Sequence, residues 1–196
     1  AGLSDPELET KLQEQIDVAL QRMYNWQNAD GGWGWWGAQK SDELTSAYVV
    51  LGLALTRESG YGINEDVLTR GIEFVRKQLR IISSYTEPYL VNRQAFMLYV
   101  LARAGELQVS YAVKLYDVRQ DMAIFARALL AHTLYSIDAG DTRIQTLLSD
   151  FNNAAIFSAS GTHWEEAKVD YWNWNTDTRT TAMVLSALSL IDPENP

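Results

Sequence analysis

Two kinds of helical periodicity alternate along the chain, and that alternation limits the fold more than any other feature. Leu8, Leu12, Ile16, Ala19, Leu20 and Met23 recur at spacings of three and four, which predicts a helix with one buried stripe. Ser4 is placed to cap it, and Pro6 falls at an early helical position where its missing N–H costs nothing. Residues 44–55, LTSAYVVLGLAL, are instead apolar all round, as in a helix with neighbours on every side. After Ser59-Gly60-Tyr61-Gly62 a single stripe returns with Val67, Leu68, Ile72, Val75 and Leu79, and Asn64 is its expected N-cap. Residues 95–102, AFMLYVLA, are again apolar all round. A short striped segment follows from Tyr111 to Tyr116, then an apolar one from Met122 to Ile137. A striped segment with Ile144, Leu147, Leu148, Phe151 and Ala155 comes next, and an apolar one from Thr180 to Ile191 stops at Asp192-Pro193.

Short Gly-containing breaks between such segments favour antiparallel αα-hairpins. Laid over one another, the apolar helices align Ala47, Ala95, Ala128 and Ala182, and six residues later Leu53, Leu101, Leu134 and Leu188. The repeat spacing is irregular, whereas a solenoid keeps one length. The expected fold is therefore all-α: an (α/α) toroid or an incomplete arc of one, with outer and inner helices alternating, and residues 1–196 forming a single domain.

Composition removes several functions. The 196 residues contain no cysteine, which excludes a disulfide framework, a thiolate metal site and a cysteine nucleophile within them. A net charge of -9 disfavours nucleic acid, whose phosphates call for cations. No apolar run reaches the length of a membrane span, and the polar opening AGLSDPELETKL does not read as a signal peptide, so a leader would lie upstream. Two histidines without a carboxylate pattern make no metal site, and no phosphate-cradling loop or Gly-x-Ser-x-Gly elbow is present. No cofactor is implied, no catalytic residue is assigned, and a non-enzyme is expected.

Two aromatic clusters stand out. Trp26, Trp33, Trp35 and Trp36 surround the turn Asp30-Gly31-Gly32 between the first outer and first inner helix. Their rings either form a stacking platform for a flat ligand or plug helix ends at the rim. His163-Trp164-Glu165 and Tyr171-Trp172-Asn173-Trp174 occupy the long loop before the last inner helix. His163 and Glu165 could serve as an acid/base pair, although neighbouring loop residues often point apart, and the alternative is packing or interface use. His132, within an apolar helix, reads as a hydrogen-bonded core residue.

Gln27-x-x-Asp30-Gly31-Gly32-Trp33 followed by Leu44-Thr45-Ser46-Ala47-Tyr48-Val49 resembles a repeat of the terpenoid-cyclase and prenyltransferase toroid superfamily. More specifically, WQNADGGWGWW…SDELTSAYVVLGL, FARALLAHTLYSIDAGD and HWEE…DTRTTAMVLSAL, in this order, are similar to the thioester domain of the alpha-2-macroglobulin family, particularly its bacterial members. The resemblance extends from about Leu8 to Ile191. It implies a non-catalytic scaffold piece of a protease-trapping protein outside the cytoplasm: periplasmic, at the cell surface or secreted. Its partners would be other domains of the parent and, through the parent, target proteases. The family's thioester is built on a Cys-x-Glu-Gln motif; Leu12-Gln13-Glu14-Gln15 matches only its ending, and the cysteine is not in this chain. Tyr85-Thr86-Glu87 is the nearest local match to the His-x-Glu of complement-type members, with Tyr in place of His. With four helix pairs visible, the chain reads as part of a larger toroid whose exposed flanks would self-associate or be covered by its own termini. The competing reading is a carbohydrate- or isoprenoid-processing toroid whose mouth is lined by Trp33, Trp35, Trp36, Trp172 and Trp174.

Overall fold

The computed structural model describes residues 6–36, 39–83, 86–159 and 161–195. Within them are eight α-helices and one short hairpin, the all-α class that the periodicity predicts. The helices are α1 (Pro6–Asn25), α2 (Glu43–Glu58), α3 (Glu65–Lys77), α4 (Pro88–Arg103), α5 (Val109–Asp117), α6 (Ile124–Ile137), α7 (Thr142–Ala154) and α8 (Asp177–Ile191). Strands β1 (Ile156–Ser158) and β2 (Gly161–His163) pair antiparallel between α7 and α8. The chain divides into two compact units, 1–77 and 78–196.

In the first unit α2 packs on α3. Asp42 starts α2, its carboxylate accepting from Thr45 N at 2.7 Å, and Asn64 starts α3 by accepting from Asp66 N and Val67 N, as its position predicts. The loop before α2 is closed by side chains. Asp30 Oδ1 accepts from Gly32 N and Ser41 Oγ, and Asn28 Nδ2 donates to Gln39 O and Ser41 Oγ. Gly31 sits at φ +89, and a Cβ there would lie 2.5 Å from Arg70 O, so both backbone conformation and space require glycine. Mid-helix Gly71 has a packing reason: a Cβ would come within 2.8 Å of Val50 Cγ2 and 2.9 Å of Trp33 Cζ3. The notch it leaves on α3 is filled by the Trp33 ring.

The stripe of α1 is amphipathic as read, yet only Leu20 is buried; Leu8 and Leu12 remain about half exposed. Periodicity reports that a face is apolar, not that something covers it. The Ser4 cap falls outside the described residues.

In the second unit α6 is the centre, buried from Phe125 to Leu134 except at Arg127, and packs against α4, α5, α7 and α8. α7 buries the stripe Ile144, Leu147, Leu148 and Phe151. Its N-cap Asp141 accepts from Arg143 N and from the Arg143 guanidinium, with Nη2 and Oδ2 2.6 Å apart, which holds that carboxyl below its ordinary pKa. The aligned leucines Leu53, Leu101, Leu134 and Leu188 are all buried, as are Ala47, Ala95 and Ala128. Ala182 is exposed. α8 buries Thr180, Val184, Ala187 and Leu188 along one stripe and leaves Leu185 and Leu190 about half exposed, so it is one-sided where the sequence predicted burial all round.

Candidate functional site

The segment from 155 to 176 positions most of the polar chemistry of the second unit. The sequence reads as a loop here, and the structure gives it the β1–β2 hairpin and a 3-10 turn at Tyr171–Asn173. Its side chains reach back onto helix starts. α6 has no local side-chain cap at Ala123. Instead Glu166 Oε2 accepts from Ile124 N and Oε1 from Phe125 N, both at 2.9 Å, while Asn92 Oδ1 accepts from Ala123 N at 3.0 Å. Three orphan donors at the positive end of the helix dipole are thereby satisfied, two of them by a carboxylate. Glu166 also accepts from Thr180 Oγ1 at 2.8 Å, which ties α8 to the same carboxylate.

A second knot lies beside it. Asp170 Oδ2 accepts from Asn92 Nδ2 at 2.8 Å and Asn173 Nδ2 at 2.7 Å, and Asn173 Nδ2 donates also to Tyr89 O. Arg93 donates to Asn173 Oδ1 and to Trp172 O, and Arg179 to Asn173 O. The Arg179 guanidinium lies 4.9 Å from the Phe125 ring centroid. Asn92, Asn173 and Thr180 are buried, which this density of partners makes tolerable; Asn175, also buried, donates from Nδ2 to Thr180 Oγ1 while its Oδ1 has no partner.

The aromatic residues singled out from the sequence divide by environment. Trp33 is 3% exposed, with Nε1 donating to Met23 O at 2.7 Å and its backbone N to Ser46 Oγ, so it packs. Trp164 is equally buried, its Nε1 donating to Phe151 O at 2.8 Å. Trp35 and Trp36 lie open to solvent. Trp172 is 69% exposed, its ring tilted against Tyr89 with centroids 5.5 Å apart. Trp174 is partly exposed and takes a left-handed backbone, φ 52, a rare conformation for an aromatic residue. His163 Nε2 and Glu165 Oε1 do meet, at 3.2 Å, on the surface. Glu87 is exposed at the start of α4 and caps nothing with its side chain; Tyr85 lies outside the described residues.

His132 departs from its expected role. It is buried and set edge-on to Tyr99, with ring centroids 5.4 Å apart, but its Nε2 has no hydrogen-bond partner. Desolvation, with help from the nearby Arg103 charge, pushes its pKa from 6.5 down to about 4.

Between the 165–172 segment and the starts of α4 and α6 lies a cleft of about 740 Å³, walled by Tyr89, Met122, Ile124 and Val169 among others and rimmed by Tyr171 and Trp172. Among the described residues no group of three or more His, Asp or Glu could hold a metal ion, and no helix is long and apolar enough to cross a membrane. The polar network around Glu166 and Asp170 was not singled out from the sequence. The only local hint was an Asx-rich loop ahead of a helix, because the partners lie about 40 to 80 residues away along the chain.

No protein-family model matches the chain. The alpha-2-macroglobulin of Thermotoga maritima is 42% identical over 86 residues, 43% of this chain and 6% of that protein. That of Escherichia coli K12 is 26% identical over 121 residues, 58% of this chain and 7% of its own length. The chain thus matches less than a tenth of the length of these relatives. Among solved structures, native E. coli alpha-2-macroglobulin aligns over 97% of this chain and 12% of its own, with a TM-score of 0.72 at 21% identity. The E. coli structure running from domain MG7 to the C-terminus aligns over 97% of this chain and 29% of its own, with a TM-score of 0.71 at 20% identity. Salmonella alpha-2-macroglobulin reacted with methylamine aligns over 92% of this chain and 12% of its own, with a TM-score of 0.71 at 19% identity.

Proposed function

We infer that this chain, a stretch akin in sequence and fold to part of the bacterial alpha-2-macroglobulins, is scaffold of the thioester domain of a protease-trapping inhibitor. The 42% identity to the Thermotoga protein carries the reading, and the eight-helix fold supports it. The chain holds no cysteine, so the thiol half of a thioester would come from elsewhere in the parent. Gln15 of the Leu12-Gln13-Glu14-Gln15 run lies inside α1, flanked by the Gln13 to Asp17 hydrogen bond, and takes no part. The contribution of these residues is architectural and not enzymatic: buried leucines and alanines fix the helices, and Glu166 and Asp170 pin the connection before α8 to their starts. Partners are the other domains of the parent protein and, through the parent, target proteases. The compartment is periplasmic, cell-surface or extracellular, where foreign proteases are met.

The test has two arms. The neighbouring coding sequence should contain Cys-x-Glu-Gln within a few tens of residues upstream of Leu8, and the longer protein should take up methylamine covalently. The present chain alone should take up none, as read by intact mass. Uptake by this chain would reveal another electrophile and sink the reading. Exposed Trp35, Trp36 and Trp172 favour, as a second reading, a toroid that processes or binds carbohydrate or isoprenoid. That reading fails if tryptophan emission is indifferent to millimolar ligand.

A further inference from the structure

We propose that the cleft beneath Tyr171 and Trp172 docks a lysine- or arginine-bearing peptide segment of a partner protein. Three observations converge on it. Its volume, about 740 Å³, falls in the range of ligand pockets and suits two or three peptide side chains. Its rim carries large rings turned outward at a cost: Tyr171 is 80% exposed and Trp172 69%. The turn that presents them is held by Asp170 and ends in the left-handed Trp174, a conformation that persists only where surrounding structure enforces it. Exposed aromatic rings on a rigid turn are poor for solubility and good for binding.

Charge selects the occupant. Four carboxylates line the cleft, Asp121, Glu165, Glu166 and Asp170, against the two cations Arg127 and Lys168. Arg127 is already neutralised by Asp150, 3.4 Å away on α7. Glu166 and Asp170 are held by N–H and amide donors, which satisfy their lone pairs without cancelling their charge. Arg93 brings one more cation to the rim, and carboxylates still outnumber cations. A nucleic acid is repelled by this field, and a second copy of a chain of net charge -9 is opposed by it. A neutral sugar could stack on the rings but would leave the field uncompensated. A lysine or arginine side chain meets both features, lying over an aromatic face with its charge toward the carboxylates.

The experiment titrates the whole chain with acetyl-Lys-Gly-Lys-Gly-Lys-amide, its Glu counterpart and cellohexaose, following tryptophan emission against a Trp172→Phe variant and confirming binding by calorimetry. Saturable binding of the Lys peptide that weakens with added salt is expected. Asp121→Asn should weaken it about two- to five-fold and Lys168→Gln should tighten it by a similar factor, the size of one exposed charge pair. Both residues are exposed, so circular dichroism should report unchanged folding. Equal binding of the Glu peptide, no saturation, indifference to Lys168→Gln, or saturable binding of cellohexaose alone would each overturn the proposal.

Discussion

Lowering the pH from 7 to 5 should destabilise the second unit through His132, and the size of the effect follows from its burial. The ring is 6% exposed with an unpartnered Nε2, and its pKa falls from 6.5 to about 4. Above pH 6.5 both folded and unfolded states are neutral and the group contributes no pH dependence. Between 6.5 and about 4 the unfolded state binds a proton that the folded state refuses, so stability is lost as pH falls, at up to about 1.4 kcal/mol per pH unit. By pH 5 the loss is about 2 kcal/mol, and across the whole window about 3 kcal/mol. With a urea dependence of about 2 kcal/mol per molar, the midpoint should drop by about 1 M between pH 7 and pH 5. His132→Leu removes the titrating ring while keeping an apolar side chain against Tyr99. It should unfold within about 1.5 kcal/mol of the parent at pH 7.5. Its midpoint should then stay about 1 M less sensitive to the step to pH 5, a difference that cancels every other titrating group. Parallel pH profiles for the two proteins would refute the argument, because they would mean that the buried ring is relieved by a partner or by solvent.

Other perturbations follow from the same geometry. Gly31→Ala combines a positive φ with a Cβ 2.5 Å from Arg70 O, and should cost the first unit about 2 kcal/mol or more in urea unfolding; a neutral result would show that the Asp30 turn relaxes freely. Glu166→Ala strips Ile124 N and Phe125 N of their acceptor and should cost about 1 to 3 kcal/mol, with faster amide exchange at the start of α6. Glu166→Gln, which keeps one acceptor oxygen, should lose less, and equal losses would count against the two-pronged cap. The exposed Leu185 and Leu190 on α8 predict that the chain alone self-associates; a monomer mass independent of concentration, without dye binding, would dismiss that.

What could be read from residue order was local. Asn64 caps α3 because its side chain needs to reach only the amides two and three residues on, and the stripe of α7 is buried as its spacing predicts. Leu185, Leu190, Leu8 and Leu12 belong to equally clear apolar patterns and are exposed, since periodicity carries no information about coverage. Trp33 and Trp36 are alike in sequence, three residues apart. One is sealed by the notch at Gly71 and the other lies in solvent, a difference decided by a glycine 38 residues downstream of the first. His163, the last residue of β2, and Glu165, two residues beyond it, do touch, against the expectation that loop neighbours diverge. The Glu166 and Asp170 network was invisible because its partners meet only once α4, α6 and α8 are assembled.

That network also bears on the order in which the chain can mature. α6 packs against four other helices of the second unit, yet its first turn borrows Asn92 from 31 residues earlier and Glu166 from 42 residues later. Closing such distant contacts is entropically slow. During synthesis Asn92 precedes α6 and can serve Ala123 N at once, whereas the Ile124 and Phe125 amides gain their carboxylate only when residue 166 follows. A chain stalled before that point would expose an apolar helix with a frayed start, the form that a chaperone or a quality-control protease would meet first.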